Sequence, residues 1–295
     1  MPKIGFVGLG IMGMPMCKNL LKGGAELTVT DLDETRVAAL TALGAKSGTY
    51  AEIAESCEFI LMILPEAGIS YGVIEQMAPH LRAGSIVCDM SSVTPEDSEA
   101  CRDLLAPLGV EFVDAPVSGG EPGAVNGTLA VMCGGTESAF ERLRPVFAML
   151  GKSAECIGPC GAGSVCKLVN QAIVNINICA AAEAMTFAQK AGADPMKVYR
   201  AIRGGLAGSR VLDDKVPMMC RRDFRPGGTL KVNRKDIKNV LATAHKLECP
   251  MPFTAQVYEL MQALAVSGGL MDDQAGYVRY FERLAGIEVH SDENA

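Results

Sequence analysis

The sequence predicts an α/β protein, a doubly wound domain followed by an all-helical one, and three observations carry that prediction. Through the first half, short apolar runs alternate with helix-length segments, the pattern of crossover units that build a parallel sheet covered by helices on both faces. After Gly163 the alternation stops, and the remainder reads as helices without a convincing strand. Between these parts, from about Ser164 to Lys190, runs a helical stretch free of Pro and Gly. The expected division is a doubly wound domain over residues 1–162, a long interdomain helix over 163–191 and a helical domain over 192–295.

Taken in order, KIGFV, ELTVTD, EFILMIL, SIVCDM and EFVDAPV are strand-like, each followed by turn residues and usually by a helix-length segment. Two more strand candidates, GTLAVMCGG and AECIG, flank the helix-like ESAFERLRPVFAML and extend the sheet. Asp194-Pro195 marks a helix start, an N-cap followed by Pro at the first helical position. GG, PGG and CPMP punctuate the later helices, and the tail HSDENA is expected to fray.

The composition narrows the function. The chain has 295 residues, 49% hydrophobic and 21% charged, enough to bury the cores of two domains. A net charge of −7 argues against a nucleic-acid or anionic-membrane surface. The N-terminus, MPKIGFVGLG, enters strand pattern at once and does not resemble a signal peptide. The apolar stretch after Lys167 contains Asn170, Gln171, Asn175 and Asn177, which lipid would leave poorly satisfied, so it reads as a buried helix of a soluble protein. The eleven cysteines are scattered, with no paired CxxC and no nearby His, so a cytoplasmic location without metal is expected.

GFVGLGIMG follows one strand and opens a helix, placing Gly8, Gly10 and Gly13 in GxGxxG spacing with Leu9, Ile11 and Met12 between them. Gly8 permits the tight turn, Gly10 lets backbone approach a pyrophosphate, and Gly13 packs helix on strand. The helix N-terminus offers unpaired N–H groups to phosphate. Asp31 ends the next strand, where a carboxylate accepts from a ribose diol and repels a 2′-phosphate. This is the pattern of a dinucleotide-binding Rossmann domain, with NAD(H) favoured over NADP(H). Leu64-Pro65 after EFILMIL and Ser92 after SIVCDM fall at carboxyl ends of strands, where such sheets bind ligands, and are expected to line the cofactor.

A second constellation begins at Ser118-Gly119-Gly120, a hydroxyl followed by a flexible turn able to aim N–H groups at a carboxylate. Lys167 is the only charged side chain between Cys156 and Ala182. If GAG caps the helix, the lysine lies near its N-terminus, where burial and the helix dipole both favour the neutral amine. Asn170 and Gln171 follow on the same face. A lysine trailed by carboxamides suits a wall of an active site better than a core; the competing reading is a lysine reaching out to solvent.

With GFVGLGIMGMPM, DAPVSGG, GAGSVCKLVNQ and NRKDI in this order, the chain resembles the β-hydroxyacid dehydrogenases, the group of 3-hydroxyisobutyrate dehydrogenase and tartronate semialdehyde reductase, over essentially its full length. The resemblance implies Lys167 as general acid and base, with Asn170 beside it. It implies Ser118, Gly119 and Gly120 as the grip on the substrate carboxylate, Lys235 reaching cofactor and substrate, and Ser92 contacting cofactor. Ile237 replaces the Leu of the family's Lys-Asp-Leu motif, and Gln171 departs from the Asn-Asn pair of hydroxyisobutyrate enzymes. The departure, with GGLAGSRVL, resembles the tartronate semialdehyde reductase pattern and implies reduction of tartronate semialdehyde to glycerate. Other substrates within the resemblance are 3-hydroxyisobutyrate, 2-(hydroxymethyl)glutarate and succinic semialdehyde. It further implies a homodimer or homotetramer. A non-catalytic dinucleotide sensor is the alternative from another class.

Overall fold

The computed structural model describes residues 2–291. The chain forms two compact units, Met1–Lys167 and Leu168–Ala295, so the division falls inside the long helix. In the first unit β1 (Lys3–Val7), α1 (Gly13–Lys22), β2 (Glu26–Thr30), α2 (Glu34–Thr41), β3 (Lys46–Ser47) and α3 (Tyr50–Ser56) come first. Next are β4 (Phe59–Met62), α4 (Ala67–Met77), β5 (Ile86–Asp89), α5 (Pro95–Leu105), β6 (Glu111–Asp114) and β7 (Val117–Ser118). α6 (Gly120–Asn126), β8 (Leu129–Gly134), α7 (Glu137–Leu150) and β9 (Gly151–Gly158) complete the sheet and its helices.

The strand order is β3-β2-β1-β4-β5-β6-β8-β7, with β9 pairing β8. The run from β3 to β6 is parallel, while β8 lies antiparallel to β6 and β7 and parallel to β9. Strand periodicity divides the core in two. Ile4, Phe6, Phe59 and Leu61 pack on one face with Met16, Leu20, Phe140 and Phe147. Val7, Ile60 and Met62 pack on the other with Ile53, Ile74 and Leu105. Successive strand side chains point to opposite faces, so a strand buried on both sides must be apolar throughout.

Two details differ from the sequence expectation. β3 is a two-residue edge strand of exposed Lys46 and Ser47, and carries no apolar signal. EFVDAPV is not one strand but two, because Pro116 has no N–H for a ladder; its carbonyl still accepts from Met132 N at 3.0 Å.

The second unit holds most of α8 (Ala162–Lys190), then α9 (Pro195–Ile202), α10 (Arg210–Cys220), α11 (Leu230–Lys246), α12 (Pro252–Val266) and α13 (Val278–Ala285). Asp194 caps α9 by accepting from Met196 N and Lys197 N. Its core gathers Ile178, Ala182, Met185, Val216, Met219, Ile237, Leu260 and Tyr277. By length and composition α8 is apolar enough to cross a membrane. Its Asn175 is nevertheless fully buried in this core and accepts from Tyr277 Oη at 2.8 Å, the setting of a globular core helix. Of the tail expected to fray, residues 292–295 lie outside the described residues, while Ser291 Oγ is hydrogen-bonded to Asp194.

Candidate functional site

The glycine loop has the geometry its spacing predicts. Gly8 sits at φ 95° with its N–H on Thr30 O, and a Cβ there would press within 2.9 Å of the Leu64 side chain. Such a φ strains any residue with a Cβ. A Cβ on Gly10 would instead meet only Arg36 Nη1, at 3.9 Å, so backbone is open to approach there. Helix α1 starts at Gly13 with no side-chain cap and no acid in its first turn to oppose an anion, while Met14 N already donates to Gly10 O at 3.0 Å and Pro15 has no N–H. Asp31 closes this loop: Oδ2 accepts from Leu9 N at 2.5 Å and Oδ1 from Asp33 N at 2.8 Å. Ile11 and Leu32, 68% and 97% exposed, flank the loop as apolar surface. These residues fit a dinucleotide: open backbone for the pyrophosphate, a carboxylate for the ribose and apolar side chains for the base.

The two neighbouring loops are tied together by Ser91, whose Oγ accepts from Leu64 N at 2.8 Å and lies 3.5 Å from Ser70 Oγ. Ser91 is buried, whereas Ser92 is half-buried and Pro65 exposed.

The turn after β7 needs its glycines, since Gly119 and Gly120 have φ of 133° and 59°. Beside it, Lys167 Nζ donates to Val117 O at 2.7 Å. The structure thus brings together two segments that are 50 residues apart in the sequence, the lysine and the strand end carrying Ser118. Lys167 is half-buried, and α8 begins at Ala162, so the lysine stands in the second turn rather than the first. The helix dipole falls off within one turn, which removes the dipole argument made from the sequence.

What occupies the start of α8 is a carboxylate that the sequence reading assigned no role. Asp114, at the end of β6 and 1% exposed, accepts from Gly161 N at 2.7 Å with Oδ1 and from Ser164 N at 2.6 Å with Oδ2. Burial pushes its carboxyl up to about 6, although the two N–H donors pull the other way. Backbone packs on backbone here: a Cβ on Gly163 would lie 2.6 Å from Asp114 O and 2.8 Å from Gly134 N. Ser164 Oγ adds a buried contact to Ser98 Oγ at 3.0 Å. The segment DAPV therefore grips α8 twice, at its N-terminus through Asp114 and at the lysine head through Val117.

In the second unit, Asn170 and Lys235 are linked through Gln171, which the sequence reading set on the same wall, and Asp236, which it did not place in the site. Asn170 Nδ2 donates to Gln171 Oε1 at 2.9 Å, and Gln171 Nε2 donates to Asp236 Oδ2 at 2.5 Å. Lys235 Nζ lies 3.3 Å from Asp236 Oδ1. Gln171 and Asp236 are 7% and 2% exposed. The signal was available: an acid and a carboxamide at helix positions facing a core demand partners.

Among the described residues no group of three or more His, Cys, Asp or Glu is arranged to hold a metal. The eleven cysteines are free thiols; burial pushes those of Cys101, Cys160, Cys179 and Cys220 up to about 12, which makes them poor nucleophiles.

Known proteins resemble the chain over nearly its whole length. Residues 3–160 match the family model for the NAD binding domain of 6-phosphogluconate dehydrogenase. Residues 161–281 match that for the NAD-binding domain of NADP-dependent 3-hydroxyisobutyrate dehydrogenase. The chain is 40% identical over 292 residues to 2-hydroxy-3-oxopropionate reductase of Escherichia coli (strain K12), covering 97% of this chain and 99% of that protein. It is 34% identical to 2-(hydroxymethyl)glutarate dehydrogenase of Eubacterium barkeri, covering 97% of each. The crystal structure of a 3-hydroxyisobutyrate dehydrogenase from Salmonella typhimurium superposes with a TM-score of 0.86 at 28% identity, covering 95% of this chain and all 100% of that one.

Proposed function

The chain belongs to the 3-hydroxyisobutyrate dehydrogenase-like β-hydroxyacid dehydrogenases, which act with NAD(P) on small hydroxy acids, and within that family we propose that it reduces tartronate semialdehyde to glycerate with NADH. The observation that carries the reading is the Lys167 Nζ contact to Val117 O, which holds an ammonium group next to the Ser118-Gly119-Gly120 turn. A carboxylate gripped by that turn presents its neighbouring carbon to the lysine.

Bound NADH supplies the hydride. As the aldehyde oxygen gains charge, Lys167 stabilises it and delivers the proton; in oxidation the neutral amine takes the proton back. Val117 O accepts one of the ammonium hydrogens, which orients the lysine head beside the turn. Ser118 Oγ and the N–H groups of Gly119 and Gly120 hold the carboxylate. Asn170 orients the reacting groups, and Lys235 adds positive charge toward an anionic substrate and the cofactor. Gly8, Leu9, Gly10, Ile11, Met12 and Gly13 cradle the pyrophosphate, with Leu64, Pro65 and Ser92 along the nicotinamide half.

The choice of NADH rests on Asp31, whose carboxylate would repel a 2′-phosphate, set against an NADP-dependent description of one matching family. The substrate choice is supported by the 40% identity to 2-hydroxy-3-oxopropionate reductase. A cytoplasmic homodimer or homotetramer completes the reading; Val165, Val169 and Ile173, exposed at successive helical turns of α8, support self-association.

The test is oxidation of NADH and of NADPH with tartronate semialdehyde, in the wild type and in Lys167→Ala. NADH turnover lost by more than a hundredfold in the variant is expected. Retention within about tenfold, a loss of roughly 1.4 kcal/mol, rejects the acid role. Wild-type turnover only of 3-hydroxyisobutyrate or 2-(hydroxymethyl)glutarate with NAD+, or of succinic semialdehyde with NADH, reassigns the substrate, and NADH binding without turnover of any of them favours a sensor.

A further inference from the structure

We propose that Gln171 and Asp236 are positioning residues that fix which end of the Asn170 carboxamide the protein offers to its reaction. The inference rests on the reading that Asn170 works in the active site, and it assigns a purpose to the residue at which this chain leaves the Asn-Asn pattern.

The argument is one of donors and acceptors. A carboxamide has a donor end and an acceptor end of nearly the same shape, so its orientation is set by its partners. Asp236 is 2% exposed with Oδ1 3.3 Å from Lys235 Nζ, and a carboxylate paired with a cation only accepts. Its Oδ2 therefore takes a hydrogen from Gln171 Nε2, at 2.5 Å. With its NH2 so committed, Gln171 turns Oε1 the other way, and Asn170 must meet that oxygen with Nδ2, at 2.9 Å. The carbonyl of Asn170 is thereby fixed as the end that accepts.

Three features make the relay specific. Gln171 is locked from behind, because its backbone carbonyl accepts from Asn175 Nδ2 at 2.8 Å and Asn175 Oδ1 accepts from Tyr277 Oη at 2.8 Å. Burial of Gln171 and Asp236 makes a mismatched donor pair costly. The longer side chain of Gln171 also spans from Asn170 on its own helix α8 to Asp236 on α11, and an asparagine is one methylene shorter. An acceptor aimed by a carboxylate suits a neighbour bearing N–H or O–H hydrogens, such as an ammonium or a substrate hydroxyl. It does not suit an oxyanion.

The relay can be broken and rebuilt. In Asp236→Asn, Lys235 holds the new carbonyl oxygen, so the new NH2 faces Gln171. Gln171 must then reverse, and Asn170 reverses after it. Adding Gln171→Glu restores two acceptors in the middle: one oxygen accepts from the new NH2 and the other from Asn170 Nδ2. The ion pair of Lys235 is altered equally in the single and double variants, so recovery in the double variant reports the relay alone.

The experiment compares wild type, Asp236→Asn, Gln171→Glu and the double variant. It measures kcat and KM with NADH and tartronate semialdehyde, thermal midpoints, and hydrogen exchange of the side-chain amides. Asp236→Asn is expected to lower kcat by about tenfold or more, and Gln171→Glu, which sets two carboxylates face to face, at least as much. The double variant should return to within about threefold of wild type. A double variant no more active than Asp236→Asn, or an Asp236→Asn enzyme within about threefold of wild type, overturns the proposal. A merely structural role would move the thermal midpoints in step with kcat and show no recovery. If the wild type turns over no semialdehyde, the functional reading has failed and the relay is judged by exchange. Slow Asn170 and Gln171 amide hydrogens in the wild type, with Asn170 fast and Gln171 still slow in Asp236→Asn and Asn170 slow again in the double variant, sustain it; any other pattern overturns it.

Discussion

Asp114→Asn tests whether one buried carboxylate anchors the helix that carries Lys167. Burial raises the Asp114 carboxyl from 3.8 to about 6, a shift of about two units, or roughly 3 kcal/mol between the two protonation states. Because the folded chain holds this proton more tightly than the unfolded chain does, the favourable contribution is complete below pH 3.8. It is lost as pH rises through about 6. The variant has nothing to titrate there. Its single carboxamide oxygen can serve Gly161 N or Ser164 N but not both, a pH-independent cost of about 1–3 kcal/mol. Urea unfolding of both proteins, in half-unit steps from about pH 4 to about pH 7.5, should show the wild type losing about 2–2.5 kcal/mol relative to the variant, with a plateau above about pH 6.5. Cys88, Cys133 and Cys160 face Asp114, but their thiols are pushed up by burial and stay protonated over this range. A flat difference, or one that favours the wild type as pH rises, refutes the reasoning. It would mean that the two N–H donors outweigh burial.

Two further substitutions probe the cofactor loop and the start of α8. Asp31→Ser removes the carboxylate that accepts from Leu9 N and that the proposed cofactor choice sets against a 2′-phosphate. The ratio of kcat/KM for NADPH over NADH should rise by about tenfold or more, or about 1.4 kcal/mol, and an unchanged ratio assigns cofactor choice elsewhere. Gly163→Ala forces a methyl against Asp114 O, 2.6 Å from the new carbon. A lower thermal midpoint, equivalent to about 1–3 kcal/mol, and a reduced kcat should appear together; a fully stable and active variant would show that the helix start tolerates displacement.

Much of the molecule was legible before its structure. Apolar runs separated by turn residues marked the strands, because a strand buried on both faces has no polar side chains to interrupt it. The dinucleotide loop was equally plain, since a tight turn, open backbone and a close helix–strand approach each demand glycine at one position. Lys167 stood out because an isolated charge in an apolar helix needs a reason. The short edge strand β3 was hidden, for two exposed residues carry no pattern. The anchors of α8 were hidden too: nothing local in DAPV says that Asp114 caps a helix beginning some 50 residues later.

The sequence by itself therefore determined the class of fold and the nucleotide-binding domain and singled out one lysine as a candidate, all from local period and residue type. Only the tertiary structure decided that Val117 receives the lysine head, that Asp114 serves as a cap from another strand, and that Gln171 meets Asp236. The reason is physical. Period and propensity act over a few residues along the chain, whereas a buried hydrogen-bonding group finds its partner wherever packing brings one within about 3 Å.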